Sequence, residues 1–263
     1  MNAIILAAGE GKRLRPLTND KPKCMIDLFG KSILQRQLEI FQNCGINDIS
    51  VVTGYCDDKI VFDNIRYVRN KKYATTNMVE TLFCAKDILG DSTIVSYGDI
   101  IFEKNVLEKL IDATDDICVV VDKDWYKYWK IRFDNPLEDT ESLVIDDNGY
   151  IKEIGQKVTN VKQIMGQYIG LMKFQHNGII LLKNFYENVK KQAFKGINPL
   201  NPKLPFEKSY LTDLLQALIL SDYKIKSIPI NNGWLEVDTK HDYEVYNRLY
   251  EENKLHEFIL LDK

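Results

Sequence analysis

Apolar runs alternate with stretches of helical periodicity along the first 121 residues of the chain. Residues 2–6 and 49–53 are short and almost wholly apolar, which is typical of strands covered on both faces of a parallel sheet. Residues 33–43 have their apolar side chains at helical spacing, and Ser32 with Gln35 forms a capping box before them. This alternation predicts a parallel sheet wrapped by helices.

The same pattern extends further along the chain and then changes. Up to residue 121 it predicts strands at 65–68, 93–97 and 118–121, and helices at 78–89 and 106–113. After Asp122 it predicts short extended pieces around 131–133, 143–145 and 150–153, which form a small antiparallel patch or lid. A strand at 168–174, helices at 178–195 and 210–220, a loop at 196–205, a strand at 225–230 and a closing helix at 240–260 follow.

The loop after the first strand carries glycines and cations together. Gly9 and Gly11 let the backbone approach phosphate oxygens, while Arg13 and Lys23 supply positive charge. The Walker A motif requires Ser or Thr directly after its Lys. Here Lys12 is followed by Arg13, so the motif does not fit. The dinucleotide fingerprint lacks its third glycine, which is Leu14 here. The loop therefore predicts a triphosphate site of another kind.

Composition narrows the class of partner. The chain has 263 residues, a formal net charge of −3 and a pI near 5.8, which argues against nucleic acid or anionic lipid as a partner. No apolar run approaches the roughly 18 residues of a membrane helix, and no leader is evident. The five cysteines are scattered without a C-x-x-C pair, which favours a reducing cytoplasm over a disulfide framework or a zinc site. A small ligand is expected.

The pattern L-A-A-G-x-G-x-R-L-x-P-L-T, followed by P-K, resembles the signature of the nucleotidyltransferases that activate sugar phosphates and small phosphorylated alcohols or amines. The resemblance implies a Rossmann-like α/β fold of the nucleotide-diphospho-sugar transferase type, with a mixed, mainly parallel sheet sandwiched by helices. It also implies one domain over residues 1–263, with a nucleotide-binding half at 1–121 and an acceptor-binding half at 122–263. The expected nucleotide-binding residues are Leu6, Ala7, Ala8, Gly9, Gly11, Lys12, Arg13, Gly54, Thr76, Asn77 and Gly98.

Two aspartates are the expected metal ligands. Asp99 follows a predicted core strand, and Asp238 follows the segment that begins at Trp234. From position alone, Asp99 could equally be a turn carboxylate, and Asp238 or Thr239 could cap the closing helix. The resemblance favours a pair of Mg²⁺ ligands, because joining two phosphates requires a divalent cation that neutralises the charge between them.

The resemblance also implies the catalytic roles. An acceptor phosphate attacks the α-phosphorus of the nucleotide in line, and pyrophosphate leaves toward Gly11 and Arg13. Lys23 is expected to bridge the α-phosphate and the incoming phosphate. Arg13, Asp99 and Asp238 complete the expected catalytic set. Asn77 has two interpretations, because Asn77 with Glu80 also forms a capping box for the helix at residue 78.

The segment 75–82 departs from the Gly-Thr-Ala type expected in sugar-phosphate members, and the chain instead resembles the cytidylyltransferases for phosphocholine, aminoethylphosphonate and related phosphorylated amines. CTP is then the expected nucleotide. The resemblance, which runs over nearly the entire chain, implies phosphoglutamine as the acceptor. Lys130, Arg132 and Lys157 add light support, because they suit an acceptor with its own carboxylate. The expected acceptor residues are Trp125, Arg132, Glu153, Lys157, Gln167, Tyr168 and Trp234.

Several alternatives stay open. The aromatic residues at 125, 126, 128 and 129 are interpreted either as a cage for a quaternary ammonium or as simple packing. Phosphocholine and 2-aminoethylphosphonate are alternative acceptors, and a sugar-1-phosphate thymidylyl- or uridylyltransferase is an alternative enzyme. A nucleotide-sensing module without turnover is the alternative from another class. The sequence does not decide whether the chain forms a homodimer.

Overall fold

The computed structural model describes residues 1–158 and 160–261. The strands are β1 (Asn2–Ala7), β2 (Asp27–Leu28), β3 (Lys31–Ser32), β4 (Ile49–Thr53), β5 (Arg66–Arg69), β6 (Ser92–Tyr97), β7 (Ile100–Phe102), β8 (Ile117–Asp122), β9 (Glu141–Ile145), β10 (Ile151–Lys157), β11 (Gln167–Gln175), β12 (Lys226–Ile230) and β13 (Trp234–Glu236). The helices are α1 (Ile33–Asn43), α2 (Met78–Phe83), α3 (Lys104–Asp112), α4 (Trp125–Arg132), α5 (Asn177–Ala193), α6 (Leu211–Leu220) and α7 (Lys240–Glu251).

Seven strands form the central sheet in the order β12, β8, β11, β6, β1, β4, β5. Neighbouring strands are parallel except at β11, which is antiparallel to both β6 and β8. The mixed, mainly parallel sheet that the sequence predicted is therefore confirmed. Leu6 of β1 pairs with Tyr97, and Ala7 pairs with Thr53, so the carboxyl ends of three adjacent strands lie together. Ligands bind at this edge in open parallel sheets.

The two faces of β1 belong to two different cores. Ile5 packs into a cluster that includes α1 and α3, whereas Ile4 packs into a cluster that includes α2 and α6. Successive side chains of a strand point to opposite faces, so a strand covered on both sides must be apolar throughout. All six residues of β1 are buried. The continuous apolar run of the sequence is thus explained by helices on both faces of the sheet.

Three small antiparallel pairs stand outside the central sheet. β9 pairs with β10, which confirms the antiparallel patch expected after residue 122. β2 and β3 form a short hairpin before α1. β7 pairs with β13, with Ile100 opposite Glu236. This last pair joins the segment after β6 to a segment far along the chain.

Some predicted elements were wrong in type or length. Residues 131–133 were predicted as an extended piece, but Ile131 and Arg132 end α4. Trp125, Tyr128 and Trp129 recur at helical spacing and are all buried, so tertiary packing selects the helix. The helix predicted at 78–89 is shorter in the structure, in which α2 ends at Phe83. The backbone leaves helical geometry two residues later, at Ala85. The closing helix ends at Glu251, because Asn253 adopts a positive φ of 55°.

None of the helices within the described ranges is long and apolar enough to cross a lipid bilayer. The division of the chain into one domain with two functional halves remains a prediction.

Candidate active site

The loop after β1 folds into a tight turn around Gly11. Gly11 has a φ of +62°, and a Cβ atom placed on it would lie 3.0 Å from Cβ of Lys23. The N–H of Leu14 donates to the carbonyl of Gly11 at 2.9 Å, and the Thr18 hydroxyl donates to the same carbonyl at 2.8 Å. Glycine is therefore required by both the backbone angle and the close approach of the Lys23 stem. Gly9 has no neighbouring heavy atom within 4 Å of such a Cβ.

Two other glycines bring neighbouring loops against the end of β1. A Cβ on Gly54 would lie 2.6 Å from Cβ of Tyr73 and 2.7 Å from the carbonyl oxygen of Ala8. A Cβ on Gly98 would lie 2.6 Å from the carbonyl oxygen of Leu6. Both glycines were expected to contact nucleotide, and in the structure they allow the three strand ends to pack closely.

The remaining residues of the predicted nucleotide loop differ in exposure. Leu6, Ala7 and Ala8 are buried, so only their backbone could meet a ligand, and the Leu6 and Ala8 carbonyls already accept from the N–H groups of Gly98 and Tyr55. The side chain of Lys12 is 69% exposed and pairs with Glu10 at 3.4 Å. Arg13 is also exposed and pairs with Asp238. The loop thus presents two cations to solvent above a buried strand end.

Lys23 lies between the two predicted metal ligands. Its Nζ donates to Asp99 Oδ2 at 2.6 Å and to Asp238 Oδ1 at 2.7 Å. The three side chains are between 13% and 19% exposed. Residues separated by more than 200 positions in sequence therefore converge beside the Gly11 turn.

Electrostatics hold Lys23 and Asp238 in their charged forms. Burial alone would lower the pKa of Lys23, but Asp99, Asp238 and Glu236 raise it well above its ordinary value. Burial would raise the pKa of Asp238, but the Lys23 ammonium and Arg13 lower it. The ammonium and the carboxylates stabilise one another's charges in a partly desolvated site.

The β7–β13 ladder explains why Asp99 and Asp238 meet. The N–H of Val237 donates to the carbonyl of Asp99 at 2.9 Å, which extends the pairing of β13 with β7 to the residues beside both aspartates. Thr239, rather than Asp238, caps α7, because its hydroxyl accepts from the N–H of Asp242 at 3.1 Å. The Asp238 side chain is therefore available to the site.

Arg132 was expected to bind the acceptor, and the structure contradicts this. Its side chain is completely buried, and its Nε lies 3.0 Å from Asp242 Oδ1. Asp242 Oδ2 accepts from the N–H groups of Asp238 at 3.0 Å and Thr239 at 2.8 Å. A buried guanidinium needs carboxylate partners in place, and it finds them inside the protein. Arg132 thus supports the segment that carries Asp238 instead of reaching a ligand.

Glu236 is a site residue that the sequence argument missed. Its Oε2 lies 2.9 Å from Nη1 of Arg132. Burial raises the pKa of Glu236 to about 7, with Arg132 opposing the shift and Asp99 adding to it. Glu236 and Asp238 are two residues apart on an extended segment, and that spacing placed both on one face. This signal was present in the sequence.

The loop before α2 is organised by a buried asparagine. Asn70 Nδ2 donates to the hydroxyls of Thr76 at 2.9 Å and Thr81 at 3.0 Å. Asn77 caps α2 through the N–H of Met78 at 2.9 Å. The reciprocal half of the predicted capping box was wrong, because Glu80 instead accepts from the Tyr186 hydroxyl at 2.6 Å. Roles for Thr76 and Asn77 in binding a base remain predictions.

A cavity of about 520 Å³ opens beside Asp238. Four of the predicted acceptor residues line it, and these are Lys157, Gln167, Tyr168 and Trp234. Its other walls include Tyr97 and Trp129, together with the carboxylates of Glu138, Asp139 and Glu141. None of the Lys and Arg side chains that the structure describes forms an ion pair with these three carboxylates. The cavity thus combines aromatic rings with charges of both signs.

Trp125 and Glu153 do not line this cavity, and their expected role in acceptor binding stays a prediction. Trp125 is 4% exposed and packs edge-on against Trp129 in the core. On β10 the cavity is lined by Gly155 and Lys157, and Glu153 lies nearer the amino end of that strand. Tyr128 is also a core residue, whose hydroxyl lies 2.6 Å from that of Tyr246. Packing, rather than an aromatic cage, is therefore the correct interpretation of most of the 125–129 cluster.

The donor set of the site suits a hard divalent cation. Asp99 Oδ1 is buried without a hydrogen-bond partner. Asp99 Oδ2 and Asp238 Oδ1 accept from the Lys23 ammonium, and Asp238 Oδ2 pairs with Arg13. Residues 1–158 and 160–261 contain no group of three or more His, Cys, Asp or Glu side chains placed to hold a metal ion. Two carboxylates suit Mg²⁺, which commonly takes its remaining ligands from substrate phosphates and water.

Comparisons with known proteins show the family of the chain. Residues 3–226 match the family model for the MobA-like NTP transferase domain. The CTP:phosphoglutamine cytidylyltransferase of Campylobacter jejuni is 42% identical over 256 residues, which cover 93% of this chain and 98% of that protein. The bifunctional protein GlmU of Methanocaldococcus jannaschii is 31% identical over 92% of this chain, and the match covers 52% of that protein.

Solved structures show the same fold. The CTP:phosphocholine cytidylyltransferase of Streptococcus pneumoniae superposes with a TM-score of 0.71 at 21% identity, and the match covers 95% of this chain and 98% of the other. The inositol-1-phosphate CTP transferase of T. maritima superposes with a TM-score of 0.70 at 20% identity, covering 99% and 98%.

Proposed function

The chain belongs to the MobA-like NTP transferase family, and we propose that it transfers a cytidylyl group from CTP to a small phosphorylated acceptor. The acceptor phosphate attacks the α-phosphate of CTP, a CDP-linked product forms and pyrophosphate leaves. The observation that carries this proposal is the convergence of Lys23, Asp99 and Asp238 beside the Gly11 turn. Catalysis of phosphoryl transfer rests on positioning and on charge stabilisation, and this site supplies both.

Each cation of the site has a proposed task. Arg13 receives the pyrophosphate side of the nucleotide, since it is exposed next to the turn and still contacts Asp238. Lys23 binds the α-phosphate and the attacking phosphate, because its stem lies against Gly11 and its ammonium reaches the aspartates. Asp99 and Asp238 hold Mg²⁺, which supplies charge neutralisation between the reacting phosphates when it is bound.

We propose phosphoglutamine as the acceptor. The proposal is supported by the 42% identity to a phosphoglutamine cytidylyltransferase over nearly the whole of both chains. It is also supported by the cavity, in which Lys157 suits an α-carboxylate and Glu141 suits an α-ammonium. Phosphocholine is the second candidate, because the aromatic rings and carboxylates of the same cavity suit a quaternary ammonium. A location in the cytoplasm, where CTP is available, is part of the proposal.

Pyrophosphate release tests the proposal directly. The protein is incubated with Mg²⁺, CTP and, in separate reactions, phosphoglutamine, phosphocholine, 2-aminoethylphosphonate or glucose 1-phosphate. We expect the highest kcat/KM with phosphoglutamine and CTP. Asp99→Asn serves as the matched negative control, because it keeps the side-chain volume and removes the negative charge.

The outcomes separate the alternatives. Fastest turnover of glucose 1-phosphate would contradict the proposed acceptor class and favour a sugar-phosphate enzyme. Preference for phosphocholine would support cytidylyl transfer but contradict phosphoglutamine as the acceptor. Binding of CTP without turnover of any acceptor would favour a nucleotide-sensing module.

A further inference from the structure

Lys23 bridges the two aspartates that are proposed to hold a divalent cation. Its ammonium donates to one oxygen of each aspartate, at 2.6 Å for Asp99 and 2.7 Å for Asp238. Those oxygens cannot contact a metal ion and the ammonium at once without placing two cations together. The protein therefore already contains a positive charge at the proposed metal subsite.

The pairing is too well formed to be an incidental surface contact. All three side chains are at most 19% exposed, and neither bond exceeds 2.7 Å. Charge-assisted hydrogen bonds in a partly desolvated site are about twice as strong as neutral ones. By contrast, the contact between Lys31 Nζ and Glu39 Oε2 has the same 2.6 Å length but joins side chains that are 36% and 38% exposed.

The stem of Lys23 connects the two places where its charge is useful. Its Cβ and Cγ lie close to Gly11, at 3.0 and 3.4 Å from the position of an added Cβ atom. Lys23 begins a short 3-10 helix whose backbone is held by the N–H of Ile26 donating to the carbonyl of Lys23 at 3.1 Å. The backbone is thus fixed, while rotation about the terminal bonds can carry the ammonium from the aspartates toward the turn.

We propose that Lys23 is an internal counter-ion for Asp99 and Asp238, and that a divalent cation binds these aspartates strongly only after the nucleotide α-phosphate has drawn the ammonium away. The part of this inference that concerns the nucleotide rests on the proposed function. The competition between Lys23 and the metal ion does not depend on that function. It makes nucleotide and metal binding cooperative through the Lys23 side chain. It also keeps the two aspartates from binding metal in the absence of substrate.

Metal binding without nucleotide tests the competition. Mn²⁺ serves as the probe, and free Mn²⁺ is measured by electron paramagnetic resonance during titration of the protein. Lys23→Met keeps the length of the stem and removes the charge. We expect this variant to bind one Mn²⁺ about tenfold or more tightly than wild type, because no ammonium competes for the two carboxylates. Lys23→Arg keeps the charge, and we expect it to bind Mn²⁺ as weakly as wild type.

Two controls isolate the site. Lys31→Met removes an ammonium from a carboxylate at the same 2.6 Å distance, away from the aspartates, and should leave Mn²⁺ affinity unchanged. The double variant Lys23→Met with Asp99→Asn should lose the gained affinity. Lys23→Met affinity equal to or weaker than wild type would overturn the proposal, and so would an equal gain in Lys31→Met.

Cooperativity with nucleotide is tested with CMP, which carries the α-phosphate and binds Mn²⁺ weakly by itself. CMP should increase the Mn²⁺ affinity of wild type several-fold and that of Lys23→Met much less. Equal enhancement in both would overturn the coupling through Lys23. If CMP fails to bind while Lys23→Met still gains Mn²⁺ affinity, the nucleotide proposal fails and the counter-ion role stands.

Discussion

Arg132 and Asp242 form a buried ion pair, with Nε 3.0 Å from Oδ1 and side-chain exposures of 0% and 1%. The pair joins α4 to the first turn of α7, and Asp242 also accepts from the N–H of Asp238. The buried Asp242 carboxylate thus fixes the backbone of Asp238, a proposed metal ligand. This relationship could not be seen in the sequence, where Arg132 resembled an acceptor-binding cation.

Removing one partner of this pair should strongly destabilise the fold. Arg132→Met leaves Asp242 and Glu236 without their cation, and breaking a buried pair costs about 3–5 kcal/mol. We expect that loss in the free energy of unfolding measured by urea denaturation. Lys127→Met is the control, since Lys127 and Glu257 form an exposed pair at 2.9 Å, and its effect should stay within about 0.5 kcal/mol. Equal effects of the two variants would contradict the prediction.

Removal of the Lys23 charge should damage turnover more than nucleotide binding. We expect Lys23→Ala to lower kcat by about 10²–10³, because charge builds up at the α-phosphate as bonds exchange in the transition state. KM for CTP should change much less. Both are measured by pyrophosphate release, with Lys31→Ala as a remote lysine control. Turnover near the wild-type value in Lys23→Ala would remove Lys23 from the catalytic role.

Two glycines of the nucleotide side should respond differently to alanine. Gly54→Ala places a methyl group 2.6 Å from Cβ of Tyr73 and 2.7 Å from the Ala8 carbonyl, and therefore forces the loop apart. Gly9→Ala meets no heavy atom within 4 Å. Thermal denaturation should show a clear loss of stability in Gly54→Ala, of about 1–3 kcal/mol, and almost none in Gly9→Ala. The reverse order would show that the packing at Gly54 is wrongly assigned.

Acceptor binding should depend on pH through Glu141. Desolvation raises the pKa of Glu141 to about 7, and Asp213 and Asp139 add to the shift. The carboxyl is mostly neutral at pH 6 and mostly charged at pH 8, so KM for an ammonium-bearing acceptor should fall as pH rises between them. Glu141→Gln should flatten this dependence. A phosphorylated acceptor lacking the ammonium group serves as the comparison, and an identical pH profile for both acceptors would contradict the assignment.

Local pattern was enough to predict most of the fold. The continuous apolar run of β1 indicates a strand covered on both faces, and the helical spacing of α1 indicates a helix covered on one face. Both patterns can be recognised from neighbouring residues alone. The pattern failed where packing between distant elements decides, as at Arg132, whose helix is selected by the burial of Tyr128 and Trp129. The helix α7 ends earlier than predicted because Asn253 adopts a positive φ, which interrupts the helix.

The sequence by itself determined the turn at Gly11, because a turn after a buried strand is specified by neighbouring residues. On that turn it predicted a nucleotide site with Arg13 and Lys23. Together with the family resemblance, it also predicted Asp99 and Asp238 as a pair of metal ligands. Only the tertiary structure decided that β7 pairs with β13, that the two aspartates meet at Lys23 and that Arg132 lies inside the protein. The physical reason is that pairing and charge compensation between distant segments depend on how the whole chain packs, which no local pattern encodes.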